Sequence, residues 1–111
     1  MALTRAGEWI RLVLDGDLAA FNARAERERP DLRNADLRGV DLRRADLRRA
    51  DLSGSYLRLA DLRGVDLSEA DLDGASINET LISGALFPRD LPAEEITLSV
   101  WKGTRMRARR G

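Results

Sequence analysis

Neither cysteine nor histidine occurs anywhere in the 111 residues. The first absence removes disulfides, thiolate nucleophiles and cysteine metal sites; the second removes the commonest acid–base group and metal ligand. No nucleophile–base pair, phosphate-binding glycine loop or metal-ligand cluster stands in their place. The expectation is therefore a protein that is not an enzyme, with no catalytic residue, no cofactor and no metal. Net charge is absent as well, since 19 Lys and Arg balance 19 Asp and Glu, and no global field favours a polyanionic or polycationic partner. Long apolar runs are also missing. The patch Ile10, Leu12, Val13 and Leu14 is short and interrupted by Arg11, which argues against a signal or spanning segment. The reading is a cytoplasmic protein with no membrane partner, and a length that suits one small domain.

What is present is a period of five. From Pro30 to Arg89 the chain divides into units centred on Leu32, Leu37, Leu42, Leu47, Leu52, Leu57, Leu62, Leu67, Leu72, Ile77, Ile82 and Phe87. A helix advances about 100° per residue, so a leucine at every fifth position makes no stripe. A flat strand alternates, and an odd period throws successive leucines to opposite faces. The chain must turn once per unit to point every centre inward, which makes a solenoid. Two residues before each centre stand mostly small residues, such as Ala35, Ala45, Ala50, Ser55, Ala60 and Ala75, suited to a second inward position. Two residues after come Gly39, Gly54, Gly64, Gly74 and Gly84, suited to corners.

The units Ala35-Asp36-Leu37-Arg38-Gly39, Ala45-Asp46-Leu47-Arg48-Arg49 and Ala70-Asp71-Leu72-Asp73-Gly74 resemble those of the pentapeptide repeat family. The resemblance implies an all-β solenoid, a right-handed quadrilateral β-helix with four units per turn, and hence about three coils here. At a strand spacing of about 4.8 Å such a stack is short, and both of its ends need covering. It also implies one activity known in that family, modulation of DNA gyrase by rods that mimic DNA. A short stack with a neutral wall fits that activity poorly.

The flanks supply the covers. Residues 1–29 are expected to form an N-terminal helical cap, with Thr4 and Asp17 starting two helices, Trp9 and Phe21 anchoring them to the core, and Pro30 ending the second. The repeat domain is expected over 30–89. Residues 90–111 are expected to form a C-terminal capping segment and basic tail. Its part from Pro92 to Gly103 reads as a helix with Pro at the first helical position, although Ile96 to Trp101 also alternates like a strand. Arg105, Arg107, Arg109 and Arg110 read as a frayed, solvated tail.

On the wall, Asp precedes the centre in eight of the twelve units, and five of these aspartates have Arg two positions later. This reads as mutual neutralisation rather than catalysis. The functional reading is a non-enzymatic protein-interaction module or small scaffold, with its surface sought where the pattern slips. Those positions are the arginines Arg43, Arg44, Arg48 and Arg49, the aromatic Tyr56 with Leu59 beside it, and Leu81 and Leu86, which replace Asp and should point outward. Either the segment from Leu91 to Trp101 folds over these two leucines, or a second subunit does, giving a homodimer through the C-terminal coil. The alternative to a protein partner is nucleic acid or another anion, bound by the first-coil and C-terminal arginines.

Overall fold

The computed structural model describes residues 3–110. Met1, Ala2 and Gly111, the outermost positions of the first and last expected segments, lie outside the described residues. Helix α1 spans Arg5–Leu14, and the Thr4 hydroxyl accepts a hydrogen bond from the Gly7 N–H at 3.0 Å. This satisfies one of the donors that every helix start leaves open. Helix α2, Leu18–Ala25, begins in the same way, with the Asp17 carboxylate accepting from the Ala20 N–H at 3.2 Å. Trp9 and Phe21 are fully buried and meet edge to face, ring centroids 5.0 Å apart, and the Arg24 guanidinium lies over the outer side of the Trp9 ring. Helix α2 stops at Ala25, short of Pro30. Glu28, beyond the end of the helix, pairs with both Arg24 and Arg5.

Behind the helices the chain stacks on itself. Parallel bridges join Asp31 to Asp51 and Asp51 to Asp71, Asp36 to Tyr56 and Tyr56 to Ser76, Asp41 to Asp61 and Asp61 to Leu81, and Asp66 to Leu86. Each bridge steps twenty residues, so four five-residue units complete one turn of the stack. The expected all-β class finds only this form: among the described residues there are isolated bridges and three helices, with no extended strand. The physical reason is the corner after every centre. Gly39, Gly54, Gly64, Gly74 and Gly84 all have φ between 68° and 78°, so little extended backbone is left between one turn and the next. At Gly54 the corner is also crowded, because the Asn34 side chain occupies the place of a β-carbon.

The centres from Leu32 to Leu72, and Ile77, are buried in one core with the small residues that precede them. Ile82 and Phe87, expected as core centres, are only partly buried, because no further turn lies over them. Asn22 closes the opposite end of the stack. Its side chain donates to the Arg44 carbonyl at 2.8 Å and accepts from the Asp46 N–H at 2.7 Å, which pairs backbone that would otherwise form an open edge.

Helix α3 spans Ala93–Lys102, which settles the choice between helix and strand; Pro92 stands at the N-cap, one place earlier than expected, and Gly103 ends the helix at φ 74°. Ile96 and Val100 pack against the core. The tail is not frayed. Met106 is fully buried, its N–H donates to the Ala75 carbonyl at 2.9 Å, and its carbonyl accepts from the Gly74 N–H at 2.6 Å. Among the described residues no helix is long and apolar enough to cross a membrane.

Candidate interaction surfaces

Each wall aspartate uses its carboxylate to close its own unit. The Oδ1 atoms of Asp31, Asp36, Asp41, Asp46, Asp51, Asp61, Asp66 and Asp71 each accept from the backbone N–H two residues on. This local bond competes well with other backbone conformations and holds the corner that follows. Arginines then add side-chain pairs: Arg33 to Asp31, Arg38 to Asp36, Arg43 to Asp41 and Arg63 to Asp61, all between 2.7 and 2.9 Å. The Arg38 hydrogen bonds, reinforced by its backbone N–H, bring the Asp36 carboxyl down from its ordinary 3.8 to about 2. The side-chain and backbone bonds of Arg43 hold Asp41 lower still. The Asp36 and Asp41 carboxylates therefore stay ionised and occupied by their arginines.

The first-coil arginines divide. Arg43 is shared between Asp41 and Asp61, the latter at 3.2 Å, and Arg48 reaches Glu69 at 3.6 Å. Among the described residues the guanidinium groups of Arg44 and Arg49 take part in no ion pair, although both backbone carbonyls accept hydrogen bonds, from Asn22 and Arg29. The tail arginines are engaged instead of free. Arg105 lies over the Tyr56 ring, donating to its hydroxyl and to the Gly74 carbonyl. Arg107 pairs with Glu95, Arg109 with Glu94, and Arg110 with Asp71 and Asp90. No property of the sequence alone matched these partners, because they depend on where α3 sends the chain.

Tyr56 is thus a seat for the tail, with one side turned to a shallow hollow lined by Asn34, Asp36 and Arg38. Leu59 is exposed and held at φ 61°, a left-handed conformation that costs a leucine free energy. It shares a cleft with Leu14, Arg38 and Arg58. Leu14, at the end of α1, was not marked out by its sequence context as an exposed residue.

The end of the last coil is covered on one side only. Helix α3 and the tail lie over the units of Leu72 and Ile77: Ser99 Oγ accepts from the Ile77 N–H at 2.9 Å, and the Val100 carbonyl accepts from the Glu79 N–H at 3.1 Å. They do not cover Leu81 and Leu86, which remain 49% and 57% exposed. This overturns the expectation that Leu91 to Trp101 folds over them. Helix α3 cannot reach both sides of the end, because Gly103 turns the chain back toward Gly74 and Met106 anchors it there. The outer side of α3 adds two further apolar residues missed from the sequence, Leu98 and Trp101, the latter 77% exposed. Helical spacing alone could have separated this pair from the inward Ile96 and Val100.

Compared with known families, the chain matches the model of pentapeptide repeats in eight copies, over residues 31–64 and 57–87. No curated protein and no solved structure matches it.

Proposed function

Because this chain belongs to the pentapeptide repeat family, we propose that it is a non-enzymatic interaction module whose twenty-residue turns form that family's right-handed quadrilateral β-helix. Its docking face is the uncovered side of the last coil. One observation carries the reading. Leu81 and Leu86 are exposed beside the half-buried Ile82 and Phe87, at an edge where, among the described residues, the Ile82 and Gly84 N–H groups and the Ala85 carbonyl have no partner. The apolar side chains together with the unpaired Ile82 and Gly84 N–H groups and Ala85 carbonyl disfavour leaving this face in water. A protein laid end to end on it, including a second copy of this chain, would cover both.

The wall supports the other readings less. Its acidic columns are interrupted by the ion pairs of Arg33, Arg38, Arg43 and Arg63, so it lacks the unbroken negative face that a DNA mimic directed at gyrase needs. Binding of nucleic acid would rest on Arg44 and Arg49, since the tail arginines are spent on Glu94, Glu95, Asp71 and Tyr56.

The test compares the intact protein with Leu81→Asp/Leu86→Asp. Both side chains are exposed, so the variant should keep its melting temperature and circular dichroism. Either sedimentation velocity over a concentration series, for a second copy, or affinity capture from the source cell, for another protein, should show association in the intact protein and its loss in the variant. A monomer at every concentration that captures the same proteins with or without the leucines would refute the reading.

A further inference from the structure

The tail shows how this stack accepts an extended segment, and the same chemical edge is repeated, vacant, at the opposite corner of the same coil. At the filled corner, Asp73-Gly74-Ala75, a single residue closes the edge: Met106 accepts from the Gly74 N–H, donates to the Ala75 carbonyl, and buries its side chain completely. Two units further on, the sequence is Ser83-Gly84-Ala85. Gly84 has the same φ as Gly74 within a few degrees, 74° against 78°. Among the described residues the Gly84 N–H and the Ala85 carbonyl have no hydrogen-bond partner, and neither does the Ile82 N–H. The apolar floor differs in the same sense: Ile77 beneath the tail is fully buried, whereas Ile82 and Phe87 are not.

We infer that the Gly84–Ala85 corner is a docking site for an extended segment of a partner protein, held as Met106 is held at Gly74–Ala75. This rests on the reading that the uncovered end is an interaction face, and it specifies the occupant. The segment offers one main-chain carbonyl to Gly84, one N–H to Ala85, and an apolar side chain that covers Ile82 and Phe87. Its flanking residues are read from what borders the corner. The tail meets carboxylates, Asp71 and Asp73, and carries arginines; the vacant corner is bordered by Leu81 and Leu86, so its occupant carries apolar flanks. Main-chain bonds supply affinity and the alternating side chains supply selectivity, as in strand addition to a sheet edge.

Hydrogen exchange on the full chain, with Gly74 as internal reference, tests this. In the free protein the Gly74 amide should be slow and the Gly84 amide fast. Random peptides displayed on phage and selected against the immobilised full chain should converge on short apolar-centred sequences. A synthetic peptide of that sequence should slow Gly84 exchange at least about tenfold while leaving Gly74 unchanged. Leu81→Asp/Leu86→Asp should abolish both effects. The inference is overturned if selected peptides expose Gly74 by displacing the tail, if they bind without slowing Gly84, or if none is selected. It is also overturned if Gly84 slows with protein concentration alone, which would make a second copy the occupant. Association that the leucine variant abolishes, without Gly84 protection, would leave the end as an interaction face and remove only the strand-addition mode.

Discussion

An aspartate in this wall serves as turn former and counter-ion with one carboxylate. Its Oδ1 holds the N–H two residues on, and in Asp31, Asp36, Asp41 and Asp61 the same group takes the guanidinium of the following Arg. Both bonds favour the ionised form, so the folded-state pKa lies below the unfolded value. A depressed carboxylate stabilises the fold fully above its unfolded pKa and loses that contribution as pH falls through the folded one. For Asp36 the window runs from about pH 4 to about pH 2. The prediction is a thermal midpoint that is flat above that window and falls within it. Asp36→Asn should flatten the fall and lower the midpoint at neutral pH by about as much as the native chain loses through the window, because the neutral amide keeps the Arg38 N–H bond but not the charged guanidinium pair. A midpoint unchanged down to pH 2 would contradict this.

Leu59 is the residue whose cost is least explained by the fold. Five other corners of the same kind hold glycine and two hold the polar Asn34 and Glu79, whereas Leu59 adopts their backbone at φ 61° with an apolar side chain in water. Leu59→Gly should therefore stabilise the protein, by about 1 kcal/mol if relief of the left-handed penalty outweighs glycine's extra entropy when unfolded. Chemical denaturation reads the difference. Destabilisation instead would mean that the cleft contact with Leu14 and Arg58 carries more weight than the backbone.

At the scale of elements, the two ends of the stack are closed by unlike means. Helix α2 sends one amide side chain, Asn22, into the first coil, whereas the last coil is closed by α3 together with a segment that has no regular structure. Met106 is the anchor of that segment. Met106→Ala should cost about 2 to 5 kcal/mol, as expected for truncating a fully buried methionine, and should speed exchange of the Gly74 amide. Replacing Arg107 and Arg109 by Gln should cost far less, because both guanidinium groups are exposed, such pairs contribute at most about 1 kcal/mol each, and the Arg107 backbone N–H still donates to the mostly covered Glu95. Equal losses in the two variants would show that charge and not burial seats the tail.

Across the whole molecule, regularity and irregularity divide the roles. The regular units bury their leucines, each such side chain contributing about 1.5 to 3 kcal/mol, and their surface charges neutralise one another. What remains unsatisfied collects at one side of one end: Leu81, Leu86, the half-covered Ile82 and Phe87, and the Gly84–Ala85 backbone. The loss of association in Leu81→Asp/Leu86→Asp belongs to this scale, since it is read on the uncovered face as a whole.

The period of five, the inward leucines, the small residues before them, the glycine corners and both N-terminal helix caps were legible in the sequence because each is decided locally, by spacing or by one residue's conformational preference. The outward direction of Leu81 and Leu86 was legible for the same reason. Their cover was not, and neither was the seat of the tail. Where α3 lies, which side of the end it shields, and how Met106 comes to rest on Gly74 and Ala75 depend on contacts between residues about thirty apart in the chain. A repeat of nearly identical corners offers such a segment several equivalent places, and only the folded arrangement of helix and tail selects one and leaves the opposite one open.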